Sequence, residues 1–118
     1  MTKIKLKRVF DKHEEHDGLR VLVDRLWPRG IKKEALHYDI WEKEIAPSTV
    51  LRKWVHADKG TRWIEFTALY QAELNQSEFL RIFIEKIRHY EIVTLLYATR
   101  DEIQNHAVIL KNVLESRL

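Results

Sequence analysis

Charged and polar side chains follow two apolar runs of the chain, and their types suit the binding of an anion. Residues 21–23 lead into Asp24, Arg25, Trp27 and Arg29, and residues 93–97 lead into Arg100, Asn105 and His106. Arginine stays charged at physiological pH and offers a planar fork of donors that fits phosphate and carboxylate groups. Histidine can carry a proton near neutral pH, and a neighbouring carboxylate can orient it. These residues therefore predict a site for a small anionic ligand.

The residue types suggest a role for each side chain in this site. His106 is the candidate proton carrier and Asp24 the group that orients it, which makes these two the candidate catalytic residues. The candidate ligand-binding residues are Arg25, Trp27, Arg29, Arg100 and Asn105. A structural role stays open for Asp24, as an ion pair with an arginine, and for His106, as a surface residue. Asp101, three residues before Gln104, is typical of a helix cap rather than of a catalytic acid.

The hydrophobic pattern predicts the elements that position these residues. Residues 3–10 alternate between apolar and basic and predict a half-buried strand, while residues 19–26 and 91–98 are apolar enough for buried strands. Helical spacing predicts three helices between them, one starting near Ser48, one over 62–74 and one after Ser77, and a last helix from about Glu102.

The order of these elements predicts the fold class. A long helical connection returns the chain parallel to its earlier direction, so strands 19–26 and 91–98 are expected to be parallel neighbours. The short loop after the first strand favours an antiparallel orientation for that strand. We expect one α/β domain over residues 1–118, with a short, mainly parallel sheet flanked by helices. Ligands of such sheets bind at the carboxyl ends of the strands, where the polar residues lie.

Composition narrows the function classes. The chain has 118 residues, 45% hydrophobic and 33% charged, which fits one globular domain. It has no cysteine, so disulfides, thiolate catalysis and cysteine-bound zinc are excluded. His13 and His16 are three residues apart rather than four, which does not fit a zincin helix, and neither a metal nor a cofactor is expected. No apolar run reaches the roughly 20 residues of a membrane span, and no signal peptide is recognisable, so a cytoplasmic protein is expected.

The first predicted strand carries a basic cluster with two interpretations. Lys3, Lys5, Lys7 and Arg8 belong to it, in a chain of net charge +3. The cluster could bind the phosphates of a nucleic acid. It could equally protect the exposed edge of a sheet, and edge protection alone accounts for it.

Most of the chain resembles a known family. Residues 17–30, 45–58, 62–74 and 94–114 resemble the YeaO-like branch of the DUF488 family, above all in the block Asp24-Arg-Leu-Trp-Pro-Arg-Gly30. The matched segments include His56, so the resemblance implies that this residue too reaches the ligand site. The wider family has a Cys-His-Arg motif before the last helix, and Asn105-His106-Ala107 occupies what looks like its place. The resemblance therefore implies no thiol chemistry for this chain.

Three functions from different classes follow. The first is a small enzyme, or a binding domain derived from one, for a phosphorylated or nucleotide-like ligand. The second is a nucleic-acid-binding module that uses the basic first strand, Trp27 and the arginines. The third is a non-catalytic protein-interaction domain in which the arginines are architectural. No membrane partner is expected, and the oligomeric state does not follow from the sequence.

Overall fold

Four strands form one sheet in which every pair is parallel. They are β1 (Lys3–Arg8), β2 (Leu19–Leu22), β3 (Ile40–Trp41) and β4 (Ile92–Tyr97), in the spatial order β1-β4-β2-β3. The computed structural model describes all residues, 1–118. The predicted α/β class and the parallel pairing of β2 with β4 are confirmed.

The antiparallel orientation predicted for the first strand is wrong. β1 pairs with β4 in parallel, with Lys3 opposite Ile92 and Arg8 opposite Tyr97. The ten connecting residues can reach about 33 Å when extended, and the strand itself covers only about 20 Å. A short loop is therefore long enough to return the chain to the other end of the sheet, where the parallel strand β2 begins. The two-residue strand β3 lies in a segment whose sequence predicts no strand.

Four α-helices complete the fold: α1 (Thr49–Ala57), α2 (Lys59–Asn75), α3 (Glu78–Ile87) and α4 (His106–Arg117). The hydroxyl groups of Ser48 and Ser77 accept hydrogen bonds from the backbone N–H groups of Leu51 and Leu80, so both predicted helix starts are confirmed. These caps satisfy donors that have no partner inside the helix.

The last helix starts four residues later than the sequence predicts. Asn105 is its N-cap, with the side-chain oxygen accepting a hydrogen bond from the N–H of Val108. Asp101 accepts hydrogen bonds from the N–H groups of Ile103 and Gln104, so it closes a separate turn before the helix. The predicted role of Asp101 as the helix cap is wrong because this local turn uses the same hydrogen-bond pattern.

The two faces of the sheet are covered in different ways. Alternate residues of the strands, such as Val21 and Leu95, pack in the main core with apolar residues from all four helices. Leu22 and Leu96 point to the other face, where they pack against Leu36 and residues of the long loop after β2. Helices therefore cover one face of the sheet, and irregular chain covers the other.

A fully buried carboxylate fixes the start of β2. Asp17 lies 2.5 Å from a guanidinium nitrogen of Arg20 and 2.8 Å from Nζ of Lys7. Burial alone would raise its pKa, but hydrogen bonds from Lys7, the Glu14 backbone and Arg20 hold the pKa of Asp17 at about 2. Lys7 thus binds a buried partner instead of standing free on the surface, and β1 is an edge strand, as the second interpretation of the basic cluster requires.

Gly18 joins Asp17 to β2 in a conformation that other residues rarely adopt. Its φ is +65°, and a Cβ atom there would lie 2.1 Å from the carbonyl oxygen of Ile92 in β4. Gly18→Ala should therefore lower the free energy of unfolding by at least about 2 kcal/mol in urea titrations. Gly60→Ala is the control, since its Cβ would meet nothing within 4 Å. It should leave stability unchanged or raise it by up to about 1 kcal/mol; equal losses for both variants would contradict this account.

Candidate functional site

The carboxyl ends of β1, β2 and β4 open into one cavity of about 500 Å³. Every site residue expected from the sequence lines it: the catalytic candidates Asp24 and His106, and the binding candidates Arg25, Trp27, Arg29, His56, Arg100 and Asn105. The loops after β2 and β4 supply most of these residues, α4 supplies His106 and α1 supplies His56. The structure thus brings together segments that are up to 82 residues apart in the chain.

Positive charge dominates the cavity. Its cationic side chains are Arg8, Arg25, Arg29, Arg52, Lys59 and Arg100, and its one carboxylate is Asp24. Sequence reasoning did not assign Arg8, Arg52 or Lys59 to the site. The parallel direction of β1 would have placed Arg8 at this edge, and Arg52 lies one helical turn before His56. No comparable signal exists for Lys59, which reaches the cavity from the start of α2.

Two of these arginines hold the backbone. Arg25 donates hydrogen bonds to the carbonyl oxygens of Pro47 and Ala46, at 2.9 and 3.1 Å, and so fixes the chain that enters α1. Arg8 donates to the carbonyl oxygens of Thr99 and Ala98, at 3.0 and 3.2 Å, and fixes the chain that leaves β4. Arg25, which the sequence suggested as a ligand clamp, therefore has an architectural task as well.

Three other arginines have no such task. The side chains of Arg29, Arg52 and Arg100 form no hydrogen bond and no ion pair within the chain. Their guanidinium groups come from the loop after β2, from α1 and from the loop after β4. The cavity therefore offers unpaired, permanently charged donors from three directions.

Asp24 and His106 contact one another at the base of the cavity. One carboxylate oxygen of Asp24 accepts a hydrogen bond from the N–H of Ala98, and the other lies 3.2 Å from Nε2 of His106. The same Nε2 lies 3.0 Å from the carbonyl oxygen of Val23. A carbonyl can only accept, so Nε2 carries the proton and Nδ1 is the ring nitrogen left for a ligand. The side chain that contacts the Asp24 carboxylate is this histidine, and no arginine pairs with it.

Trp27 and Asn105 line the cavity without offering free polar groups. The indole N–H of Trp27 donates to the carbonyl oxygen of Ile31 at 2.7 Å, and the ring meets Trp41 edge to face. The side chain of Asn105 caps α4 and also donates to the carbonyl oxygen of Asp101. Both residues line the cavity with their polar atoms already bonded.

His56 reports the charge of its surroundings. Partial burial lowers its pKa, and so do the neighbouring charges of Arg52, Lys59 and His106. Lys59 also forms an ion pair with Asp101, whose carboxylate lies 3.2 Å from Nζ of the lysine. Burial is the larger cause of the lowered pKa, and the neighbouring cations add to it.

A family model matches residues 3–118, and its description reads "Inactive DUF488-N3 subclade". The chain belongs to the DUF488 family. Similar curated proteins are the uncharacterized protein YeaO of Escherichia coli, 47% identical over 113 residues that cover 96% of this chain and 97% of YeaO, and two mycobacterial proteins. These two are the uncharacterized protein Mb3100c of Mycobacterium bovis and the uncharacterized protein Rv3073c of Mycobacterium tuberculosis. Each is 40% identical over 116 residues, which cover 98% of this chain and 97% of the relative. No solved structure matches the chain significantly.

The resemblance expected from the sequence is thereby confirmed, and two further observations describe this DUF488 protein. No cluster of three or more His, Cys, Asp or Glu side chains has a geometry that could hold a metal ion. None of the four helices combines the length and the apolar character that a membrane crossing needs.

Asp24→Asn tests the contact at the base of the cavity. The amide oxygen can keep the hydrogen bond from the Ala98 N–H, but an NH₂ group then replaces the buried oxygen beside Nε2 of His106, and the negative charge is lost. We expect the free energy of unfolding to fall by about 1–3 kcal/mol in urea titrations. Glu34→Gln, at an exposed carboxylate without a side-chain partner, should change nothing measurable. Equal stability of both variants would show that the Asp24 contacts are dispensable.

A second prediction concerns pH. The pKa of His56 in the folded protein is below its ordinary value of 6.5, so the unfolded chain binds the proton more readily. Its contribution to stability is therefore complete above that value and is lost as the pH falls through it. Between about pH 8 and pH 5, in buffers without phosphate or sulfate, the melting temperature of His56→Gln should fall less than that of the wild type. His89→Gln, at an exposed histidine outside the cavity, should follow the wild type; identical curves for all three proteins would refute the prediction.

Proposed function

We propose that this DUF488 protein is a non-catalytic domain that binds a small phosphorylated or nucleotide-like anion in the cavity at the carboxyl ends of its strands. The observation that carries the proposal is the set of three unpaired guanidinium groups, Arg29, Arg52 and Arg100, in a cavity with one carboxylate. Arginine stays charged and binds phosphate oxygens through its planar fork of donors, and none of these three has a competing partner within the chain. The volume of about 500 Å³ lies within the range of small-molecule sites.

Binding without turnover fits the remaining chemistry. Asp24 and His106 form an oriented acid–base pair, but the chain contains no cysteine to serve as a thiol nucleophile. The description of the matched family model, an inactive subclade, supports the same conclusion. In this proposal Nδ1 of His106 forms a hydrogen bond to the ligand, and Asp24 fixes the ring that presents it. The proposal includes a cytoplasmic location, where phosphorylated small molecules are made and consumed.

The nucleic-acid alternative has less support. It relied on the basic first strand, yet Lys7 is bound to Asp17 at 2.8 Å and to Glu14 at 2.6 Å, and its side chain is largely buried. An architectural role accounts for Arg8 and Arg25, which bind backbone carbonyls, but not for the three unpaired arginines.

Removal of single arginines tests the proposal. Inorganic phosphate, pyrophosphate, sugar phosphates and nucleotides are screened by thermal shift, in which a ligand at about 100 times its Kd adds about 2.7 kcal/mol of stability. For each ligand that stabilises the wild type, Arg29→Ala and Arg100→Ala should weaken affinity about tenfold or more, because a hydrogen bond to a charged group is lost. Affinity is measured by titration calorimetry.

Arg88→Ala is the matched control, since Arg88 is exposed on the opposite part of the fold and pairs only with Glu85. It should bind as the wild type does. No stabilisation by any anion would contradict the proposal. Stabilisation by DNA or RNA alone, with affinity falling steeply as salt rises, would favour the nucleic-acid alternative.

A further inference from the structure

One aromatic ring of the cavity has no structural partner in the core. The Phe and Trp rings that line the cavity are Phe10, Trp27, Trp63 and Phe66. Trp27 packs against the smaller core cluster, Trp63 packs against the main one, and Phe66 is buried in it. Phe10 belongs to neither cluster and is 50% exposed. Packing in the core therefore does not account for the position of this ring beside the cavity.

The surroundings of Phe10 connect it with the anion site. The guanidinium carbon of Arg8 lies 5.2 Å from the ring centroid, and that guanidinium is itself held by the carbonyl oxygens of Ala98 and Thr99. A Cβ atom at Gly30 would lie 4.0 Å from the far edge of the ring. The ring therefore lies beside Gly30, and the residue directly before Gly30 is the unpaired Arg29. A ligand held by Arg29 would have Phe10 within reach of its next chemical group.

We infer that Phe10 is a stacking platform for a heteroaromatic base and that the ligand class is a nucleotide. The inference rests on the proposed anion site and adds an uncharged base to the phosphate group that this site would bind. Bases stack on phenyl rings through their π faces, and arginine beside such a ring strengthens the contact. A sugar phosphate has no π face, and an inorganic anion has no apolar surface at all. A half-exposed phenyl ring at the mouth of a cationic cavity thus favours a nucleotide over both.

Matched ligands with and without a base test the inference. AMP is compared with ribose 5-phosphate, and ADP and ATP with pyrophosphate and triphosphate, by titration calorimetry at one pH and one salt concentration. For the wild type, the nucleotide should bind between about five and a hundred times more tightly than its base-free counterpart. Phe10→Ala should remove this advantage and leave the affinity for the base-free anion unchanged within about twofold. Phe10→Leu, which keeps an apolar side chain without the ring, should behave in the same way.

Phe79→Ala is the control, because Phe79 is a phenylalanine of nearly equal exposure, 53%, on α3 and outside the cavity. It should retain the full preference for nucleotides. Nucleotides that bind no more tightly than their base-free counterparts, or a preference that survives in Phe10→Ala, would overturn the inference while the proposed anion site stands. Absence of binding by every probe would overturn both.

Discussion

The cavity depends on the parallel pairing of β2 with β4. Their register sets Leu22 opposite Leu96, so Asp24 and Ala98 follow at the same edge of the sheet. There the carboxylate of Asp24, rather than another backbone carbonyl, accepts the hydrogen bond from the N–H of Ala98. A side chain thus takes the place of the next rung of the ladder, and the two strands can separate without leaving that donor unsatisfied. His106 binds Val23 and Asp24 at the same point, which docks the first turn of α4 onto the separated strands.

Charges are balanced before β2 and unbalanced after it. Before the strand, Asp17 is fully buried and its charge is matched by Lys7 and Arg20. After the strand, six cationic side chains and one carboxylate line the cavity, and one of the six, Lys59, pairs with Asp101. The whole chain has a net charge of only +3, so the surface outside the cavity is net negative. The positive potential is therefore concentrated at the cavity, where low-dielectric walls strengthen its effect on an approaching anion.

Local patterns in the sequence were enough to predict much of this arrangement, and non-local packing explains the remainder. Continuous apolar runs identified β2 and β4, and the polar residues after them line the cavity as the parallel arrangement required. Arg8 escaped assignment because loop length alone does not reveal which neighbour β1 pairs with. The start of α4 was misplaced because Asp101 and Gln104 form a hydrogen-bonded turn that resembles a helix cap locally. Lys59 follows a helix break at Asp58, and only the packing of α2 against the rest of the fold brings it to the cavity.

The arginines divide into those that build the cavity and those that remain for a ligand. Arg8 binds the carbonyl oxygens of Ala98 and Thr99, directly before the unpaired Arg100. Arg25 binds those of Ala46 and Pro47, before the unpaired Arg52, and the hydrogen bond from the Trp27 indole to Ile31 closes the loop that carries Arg29. The backbone that presents the free guanidinium groups is thus fixed without a ligand. Because the site is already formed, binding has only side-chain ordering to offset, rather than the ordering of a loop.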